Sequence, residues 1–218
     1  MRILGLVDIH SRTDKLEDVL WEAEDCDLVL LGGDITNFGK SQAAADVLTS
    51  LLERVPLVLG VTGNCDYPEV NKFLSAHHCS LENGPREVHD FYIVGVGGSL
   101  PCPTKTPNER SEQSLQEALS HQMEGYNEEK HLIAVVHQPP FATELDRSLL
   151  AGHVGSHAVR SFIEKYQPTL FFSGHIHESQ AIQKIENTTL VNPGPFLKGN
   201  YFVAEMMENE VFVELRKI

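Results

Sequence analysis

The chain has 218 residues, of which 41% are hydrophobic and 22% charged, and this balance is typical of a folded protein with a sizeable core. Its 17 basic and 31 acidic residues give a formal net charge of −14, which opposes lasting contact with a nucleic-acid backbone because that affinity comes mainly from Lys and Arg. We therefore expect a single domain over residues 1–218 and no nucleic-acid partner.

The cysteine pattern and the hydropathy of the chain indicate its compartment. The cysteines are scattered without a C-x-x-C pair, which argues against a disulfide framework or a structural zinc site; they are Cys26, Cys65, Cys79 and Cys102. The apolar stretch before Asp8 is too short for a signal peptide, and apolar runs elsewhere do not reach membrane-spanning length. We expect a cytoplasmic protein with no membrane partner.

The first third of the chain alternates apolar runs with helical patterns. Strands are predicted at Ile3–Val7, Asp27–Leu31 and Leu57–Val61. Helices are predicted at Leu16–Ala23, with Thr13 or Asp14 as the N-cap, at Ser41–Arg54 and at Glu69–Ala76. This alternation of strand and helix predicts a parallel sheet with right-handed crossovers.

The second half is richer in strands. Strands are predicted at Phe91–Val96, Leu132–Val136 and Leu170–Phe172, and short antiparallel strands at Ala181–Ile185, Thr189–Val191, Tyr201–Met206 and Val211–Leu215, with Asn209 in the last turn. A proline-rich surface loop is predicted from Ser99 to Glu112, and helices at Ser114–Met123 and from Ser156 to Tyr166. The resulting fold class is α/β, with two packed sheets and helices outside.

Polar clusters follow five of the predicted strands. They read Asp8-x-His10, Gly33-Asp34, Gly63-Asn64-Cys65-Asp66, His137 and Gly174-His175-x-His177. Ligand sites form at the carboxyl ends of strands in α/β sheets, and carboxylate, amide and imidazole groups are metal ligands. Taken singly, each cluster has a simpler structural explanation, such as a turn or a buried structural histidine. Their common position at strand ends favours a binding site for two adjacent metal ions over these simpler explanations.

As a set, these clusters resemble the motifs of the calcineurin-like metallophosphoesterase superfamily, which read D-x-H, G-D, G-N-H-D/E, H and G-H-x-H. The resemblance covers residues 8 to 177 and implies a four-layer αββα sandwich of two mixed sheets flanked by helices. Carried over by position, it implies that one metal ion binds Asp8, His10, Asp34 and His177. A second ion would share Asp34 and bind Asn64, His137 and His175.

The resemblance also implies a reaction. Two divalent transition-metal ions, with Mn first and Fe, Zn, Ni or Co as alternatives, would supply a metal-bridging hydroxide that attacks a phosphoester in line. The expected activity is a metal-dependent phosphodiesterase acting on small molecules. Its physiological substrate and the presence of a homo-oligomer stay open.

Cys65 departs from the family motif, which has His at this position. That His stabilises or protonates the leaving group in the family, with Asp66 expected to orient it. Because a thiol is a weak donor without positive charge, we expect a preference for diesters or for good leaving groups. A small filler role for Cys65 is an equal alternative. The Gly-Asn-Cys-Asp variant also resembles a branch of small stand-alone bacterial and archaeal phosphodiesterases.

Other residues are candidates for substrate contacts, and other functions compete with the first. His153, Ser156 and His157 precede or open a predicted helix, whose N-terminus attracts anions, although Ser156 also suits a simple N-cap. A protein phosphatase is disfavoured because Gly33-Asp34 lacks the arginine of that motif. The non-enzymatic alternative is a catalytically weak or inactive scaffold with the same fold, which the retained ligand residues disfavour.

Overall fold

The protein is built from two mixed β-sheets and five long helices, as seen in a computed structural model that describes residues 1–207 and 210–218. In this part of the chain the helices are α1 (Leu16–Glu24), α2 (Ser41–Arg54), α3 (Pro68–Ala76), α4 (Glu112–Gln122) and α5 (His157–Tyr166). The strands are β1 (Arg2–Leu6), β2 (Leu28–Leu31), β3 (Val58–Gly60), β4 (Arg86–Val88), β5 (Phe91–Val96), β6 (His131–Val136), β7 (Arg147–Ser148), β8 (Gly152–His153), β9 (Leu170–Phe172), β10 (Ala181–Ile185), β11 (Thr188–Asn192), β12 (Asn200–Met207) and β13 (Glu210–Lys217). A one-turn 3₁₀ helix, the 196–198 turn, spans Phe196–Lys198.

Both sheets are mixed: the first has parallel strands on one side and antiparallel strands on the other, and the second has parallel strands at its centre and an antiparallel strand at each edge. The first sheet has the order β13-β12-β1-β2-β3 and the second β10-β11-β9-β6-β5-β4. Strands β1, β2 and β3 run parallel, and β12 lies antiparallel to β1. In the second sheet β11, β9, β6 and β5 run parallel, with β10 and β4 antiparallel. The carboxyl ends of the parallel strands therefore lie side by side at one end of each sheet.

Alternation of side chains along the strands creates three apolar layers. In β1, Leu4 and Leu6 pack beneath α1, α2 and α3, whereas Ile3 packs between the two sheets. In β6, Ile133 faces the first sheet, and Ala134 faces α4 and α5. Because side chains alternate between the faces of a strand, every central strand is covered on both sides. The predicted αββα sandwich is confirmed.

An aromatic pair joins the two sheets at the centre. The rings of Phe172 in β9 and Phe202 in β12 meet edge to face with centroids 4.9 Å apart. A Cβ atom at Gly5 would overlap the Phe202 ring, so β1 approaches this ring more closely than any side chain would allow. The contact fixes the two sheets against each other below the strand ends.

The largest departures from the predicted elements lie where local signals are weak. The N-cap of α1 is Lys15, without a side-chain cap, because Arg12 holds the carboxylate of Asp14 at 2.8 and 2.9 Å. Helix α4 begins at Glu112 rather than Ser114, capped by Ser111, which shortens the predicted loop. Strand β4 was missed because it has only three residues at the sheet edge, two of which are charged.

Two further features concern the second half. The hairpin of β7 and β8 was not predicted, and it places His153 in a strand rather than near the start of α5. The antiparallel pairs β10–β11 and β12–β13 are confirmed, and the predicted turn residue Asn209 lies outside the described residues. Within the described ranges, every helix is too short or too polar to cross a membrane.

Candidate metal centre

Loops after five parallel strands converge at one end of the sandwich. The loops after β1 and β2 stay paired beyond the sheet, since the amide of Asp8 donates to the carbonyl of Gly33 at 3.0 Å and that of His10 to Asp34 at 2.9 Å. The first sheet supplies Asp8, His10, Asp34 and Asn64, and the second supplies His137, His175 and His177. All seven predicted ligands thus lie on loops at the carboxyl ends of the strands, as expected.

Asp8, His10 and His177 form the first group. Their ligand atoms all lie within 4.8 Å of one another. Nε2 of His10 and Nε2 of His177 are 3.3 Å apart, and Nε2 of His177 is 3.7 Å from Oδ1 of Asp8. These are three of the four residues predicted for one metal ion, and the fourth is Asp34.

Asp34 lies between this group and a second one. Its Oδ2 is 3.6 Å from Nε2 of His10 and 3.7 Å from Nε2 of His137, while its Oδ1 accepts the amide of Cys65 at 2.8 Å. The hydrogen bond from Cys65 fixes the carboxylate, so Oδ2 faces both groups. Asn64 belongs to the second group, with Oδ1 3.0 Å from Nε2 of His137.

The tautomer of His137 tests whether a cation fits here. Burial lowers the pKa of His137, so the ring is neutral near pH 7 and carries one proton. Its Nδ1 lies 2.8 Å from the carbonyl oxygen of Gly32, which can only accept, so Nδ1 carries that proton and Nε2 presents a lone pair. That lone pair faces the carbonyl oxygen of Asn64 at 3.0 Å. Two acceptors at this distance repel unless a positive charge lies between them. The donor set therefore fits a divalent transition metal.

The electrostatics of the buried groups point the same way. Burial, reinforced by the neighbouring charge of Asp8, raises the pKa of Asp34 to about 6. Burial lowers the pKa of both His10 and His137, so these imidazoles are neutral and able to act as ligands near pH 7. The carboxylate of Asp34 lies beside the neutral imidazoles of His10 and His137, which offer it no compensating charge, and a bound cation would provide one.

His175 is placed differently from the other predicted ligands. Its amide nitrogen lies 3.2 Å from Oδ2 of Asp8, and its Nε2 is 3.8 Å from Sγ of Cys102. Burial, with the neighbouring His137, lowers the pKa of His175 to about 3. The ring is therefore neutral and lies half-buried beside His137, with ring centroids 5.3 Å apart, and its role as a ligand stays a prediction.

The backbone of these loops is strained. Asp8, His10, Ser11, Asp34 and His175 all have positive φ angles between 48° and 69°, a conformation that costs free energy for residues other than glycine. Such outliers cluster at functional sites because the surrounding structure holds them in place. Here they turn the side chains of four predicted ligands toward a common centre.

Cys65 is buried within reach of the metal-binding groups. Its thiol belongs to a third set of close ligand atoms with His10 and Asp34, and Nδ2 of Asn64 lies 3.6 Å from its Sγ. Burial and the charge of Asp34 raise the pKa of the Cys65 thiol. The thiol therefore stays protonated and neutral at pH 7 when no cation is bound.

Asp66 connects two of the ligand loops. Fully buried, its carboxylate accepts hydrogen bonds from the amides of Gly63, Ile35 and Thr36 and from the hydroxyl of Thr36, at 2.7 to 3.1 Å. These contacts hold the loop of Asp34 against the loop of Asn64. The predicted role of Asp66 in orienting Cys65 stays untested, whereas its contacts to the two loops are direct.

The sequence did not reveal Cys102. It lies in the loop between β5 and α4, which is anchored to the site because the amide of Asn108 donates to the carbonyl of Asn64 at 3.1 Å. Sγ of Cys102 lies 3.8 Å from Nε2 of His175 and 4.0 Å from Nδ2 of Asn64. A cysteine in a proline-rich loop carries no local motif, so only the tertiary structure identifies it as a positioning residue for His175.

We expect Cys102→Ala to weaken metal binding about tenfold, because partners of the ligand imidazole typically contribute 10–100-fold to affinity. Titration calorimetry with Mn²⁺ on the metal-free protein measures this directly. Cys79→Ala is the matched control, since Cys79 lies in the apolar layer beneath the helices. Equal affinities for the two variants would contradict a contribution from Cys102.

The three predicted substrate contacts lie around the start of α5. Ser156 caps this helix by accepting the amide of Val159 at 3.2 Å, which confirms its structural role. The carboxylate of Glu112 accepts the hydroxyl of Ser156 at 2.6 Å and the amides of His157 and Ala158 at 3.0 Å. Because Glu112 already occupies the helix N-terminus, this arrangement opposes a substrate phosphate at that point.

His153 and His157 flank one aromatic ring. Nδ1 of His153 lies 2.6 Å from Oδ1 of the fully buried Asp146, and His157 lies against Phe141 with ring centroids 4.0 Å apart. Both imidazoles therefore have structural partners. Contact of either residue with substrate remains a prediction.

Comparisons with known proteins agree with this geometry. A sequence model described as calcineurin-like phosphoesterase matches residues 1–179. An uncharacterized protein of Methanocaldococcus jannaschii is 35% identical over 222 residues, covering 98% of this chain and 96% of that protein. Among solved structures, the protein TT1561 of Thermus thermophilus matches with a TM-score of 0.77 at 18% identity, covering 98% and 97% of the two chains. A dimetal phosphatase from Danio rerio matches with a TM-score of 0.75 at 14% identity, covering 100% and 96%.

Proposed function

The chain belongs to the calcineurin-like phosphoesterase family, and we propose that it is a dinuclear metal-dependent phosphodiesterase acting on small molecules. The observation that carries this proposal is the position of Asp34, whose Oδ2 lies 3.6 Å from Nε2 of His10 and 3.7 Å from Nε2 of His137. One carboxylate oxygen facing two separate ligand groups suits a bridge between two ions. The structural neighbour from Danio rerio is a dimetal phosphatase, which supports the same choice.

Each residue of the centre has a distinct part in this proposal. Asp8, His10 and His177 would hold one ion, and Asn64, His137 and His175 the other, with Asp34 shared. Two divalent ions so bound supply activation of water and neutralisation of charge on the phosphoryl oxygens. The chain itself orients these groups, through the carbonyl of Gly32 on His137 and the amide of Cys65 on Asp34.

The proposed preference for diesters rests on Cys65. The thiol is buried and its pKa is raised, so it offers a leaving-group oxygen a neutral and weak donor. Alkoxide leaving groups need protonation more than phenolate leaving groups do. We therefore place phosphodiesters with good leaving groups ahead of alkyl monoesters as substrates.

The first experiment compares bis-p-nitrophenyl phosphate with p-nitrophenyl phosphate, metal by metal. We expect hydrolysis that requires added Mn²⁺, or Ni²⁺, Co²⁺, Fe²⁺ or Zn²⁺, with the diester turned over faster, and we expect chelation to abolish it. Metal content measured on the same samples separates two failures. Bound metal without activity on either ester would favour a scaffold, and absent metal would contradict the proposed centre.

Cys65→His tests the proposed effect on the leaving group. We expect turnover of diesters with poor leaving groups to rise by about 100-fold, at the lower edge of what a positioned proton donor contributes, with little change for p-nitrophenolate. Linear free-energy plots over a series of aryl and alkyl diesters measure this. Cys65→Ala is the matched control, and an unchanged leaving-group dependence in Cys65→His would reduce Cys65 to a small filler.

A further inference from the structure

An open cavity of about 440 Å³ lies beside the metal centre and shares His177 with it. The remaining lining residues are mostly polar or basic: Glu178, Gln180, Lys198, Asn200, Leu215, Arg216 and Lys217. The His177 side chain is one-third exposed, so the ligand group of the centre is continuous with this cavity. A molecule bound at the metal centre could therefore extend into it.

The sheet topology holds two lysines of this cavity next to the ligand loop of β1. The 196–198 turn is anchored on that loop, since the amide of Phe196 donates to the carbonyl of Val7 at 2.8 Å and that of Leu197 to Asp8 at 3.1 Å. Lys198 is the last residue of this turn. Lys217 lies opposite Asn200 in the β12–β13 register. Because β12 runs antiparallel to β1, the beginning of β12 lies beside the carboxyl end of β1, where the chain reaches Asp8.

The charges of the two lysines are available to a ligand. In the part of the chain that the structure describes, the lysines in ion pairs are Lys40 and Lys130, whereas Lys198 and Lys217 are exposed and form none. Arg216 is bound by Glu22 and Glu214. The carboxylate of Glu178 is turned toward the β7–β8 hairpin, where it accepts the amide of Leu149 at 3.1 Å.

We propose that this cavity binds a second anionic group of the substrate, a phosphate or a carboxylate, while the metal centre holds the scissile phosphoester. Two exposed cations stand beside the proposed phosphoester site in a chain of net charge −14, and ammonium groups are suited to phosphate and carboxylate as point charges. The natural substrate class is then a phosphoester with a further negative charge a few bonds from phosphorus. This inference rests on the proposed function for the scissile group.

Competitive binding of simple phosphonates tests the cavity. The probes are propylphosphonate, 1,3-propanediphosphonate and 4-phosphonobutyrate, which share one phosphonate head and differ in the second group. Titration calorimetry on the Mn²⁺-loaded protein gives their affinities without any need for turnover. The unmodified protein is expected to bind at least one of the two probes that carry a second anionic group more tightly than propylphosphonate. In Lys198→Gln/Lys217→Gln that preference should fall about tenfold, because each of the two exposed ion pairs that are lost contributes a few-fold to affinity.

A charge-matched variant separates a local contact from the field of the whole protein. Lys165→Gln/Lys184→Gln removes the same two charges from exposed positions on α5 and β10, and it should keep the preference. If Lys198→Gln/Lys217→Gln loses the preference for the diphosphonate alone, the cavity is a phosphate subsite. If it also loses the preference for 4-phosphonobutyrate, the cavity is a general anion subsite. The inference is overturned if the two double variants lower the preference equally, or if neither of them lowers it. Absence of diester hydrolysis with the preference intact would contradict the proposed function and not the cavity.

Discussion

Asp34→Asn is expected to lower metal-dependent diester hydrolysis by roughly 10³-fold or more, equivalent to about 4 kcal/mol of transition-state stabilisation. The reason is that Oδ2 of Asp34 faces both ligand groups, so an amide here removes the negative charge shared by both proposed ions. Asparagine retains Oδ1 as the acceptor for the amide of Cys65, so the loop geometry is preserved. Metal content should fall with activity.

The same substitution is expected to stabilise the metal-free protein at pH 7 to 8. The pKa of Asp34 is raised from 3.8 to about 6, by burial and by Asp8, so ionisation of Asp34 costs folding free energy. For an acid whose pKa is raised in the folded state, this cost is full above about pH 6 and absent below about pH 4. The melting temperature should therefore rise by several degrees, at about 2–4 °C per kcal/mol for a chain of this size.

Melting curves with and without Mn²⁺, at pH 4 and pH 7.5, measure both effects. Stabilisation should appear at pH 7.5 and vanish at pH 4, and Mn²⁺ should stabilise the unmodified protein more than the variant. Glu128→Gln is the control because it removes one negative charge at an exposed position. An active, metal-loaded Asp34→Asn enzyme would contradict the bridging role of Asp34.

Asp66→Ala is expected to destabilise the protein by about 3–5 kcal/mol, since three buried amides lose their acceptor and each unsatisfied donor costs about 1–3 kcal/mol. The affected amides are those of Gly63, Ile35 and Thr36. Burial and the charge of Asp34 raise the pKa of Asp66 to about 6, so part of this loss is offset by relief of charge repulsion. Four hydrogen bonds outweigh that relief.

Urea denaturation of the metal-free protein gives the free energy of unfolding for Asp66→Ala, with Asp66→Asn as the conservative partner that retains one acceptor. We expect alanine to be the more damaging of the two. The double variant Asp34→Asn/Asp66→Ala should deviate from additivity, because the two carboxylates repel each other in the unmodified protein. Unchanged stability in Asp66→Ala would contradict the role of Asp66 in joining the loops.

The residues that the sequence located well are those with a strong local signal. Helix α2 begins at Ser41 and ends at Arg54 as predicted, because its buried positions Ala44, Val47, Leu48 and Leu51 recur at helical spacing. The ligand clusters were located because each follows a buried strand, and parallel strands must end together.

The residues that could not be located from the sequence act through partners that are distant along the chain. Cys102 approaches His175, 73 residues further along the chain, and Lys217 enters the cavity through the register of the edge strand β13 with β12. Asp66 was expected to orient its neighbour Cys65, yet its hydrogen bonds extend 30 and 31 residues away to Thr36 and Ile35. Neither periodicity nor motif spacing encodes such contacts, which arise only from the packing of loops.

The division of the proposed ligands between the two sheets would couple metal binding to folding. Asp8 and His10 come from the first sheet and meet His177 from the second, and Asp34 and Asn64 meet His137 in the same way. Neither sheet alone can assemble either group, so a partly folded chain with undocked sheets lacks the full affinity. By mass action, metal at 1,000 times its dissociation constant would add about 4 kcal/mol to the stability of the docked state. The ions of this proposed enzyme would then act as a clamp across the sandwich, and cellular metal supply would determine how much of the chain stays folded.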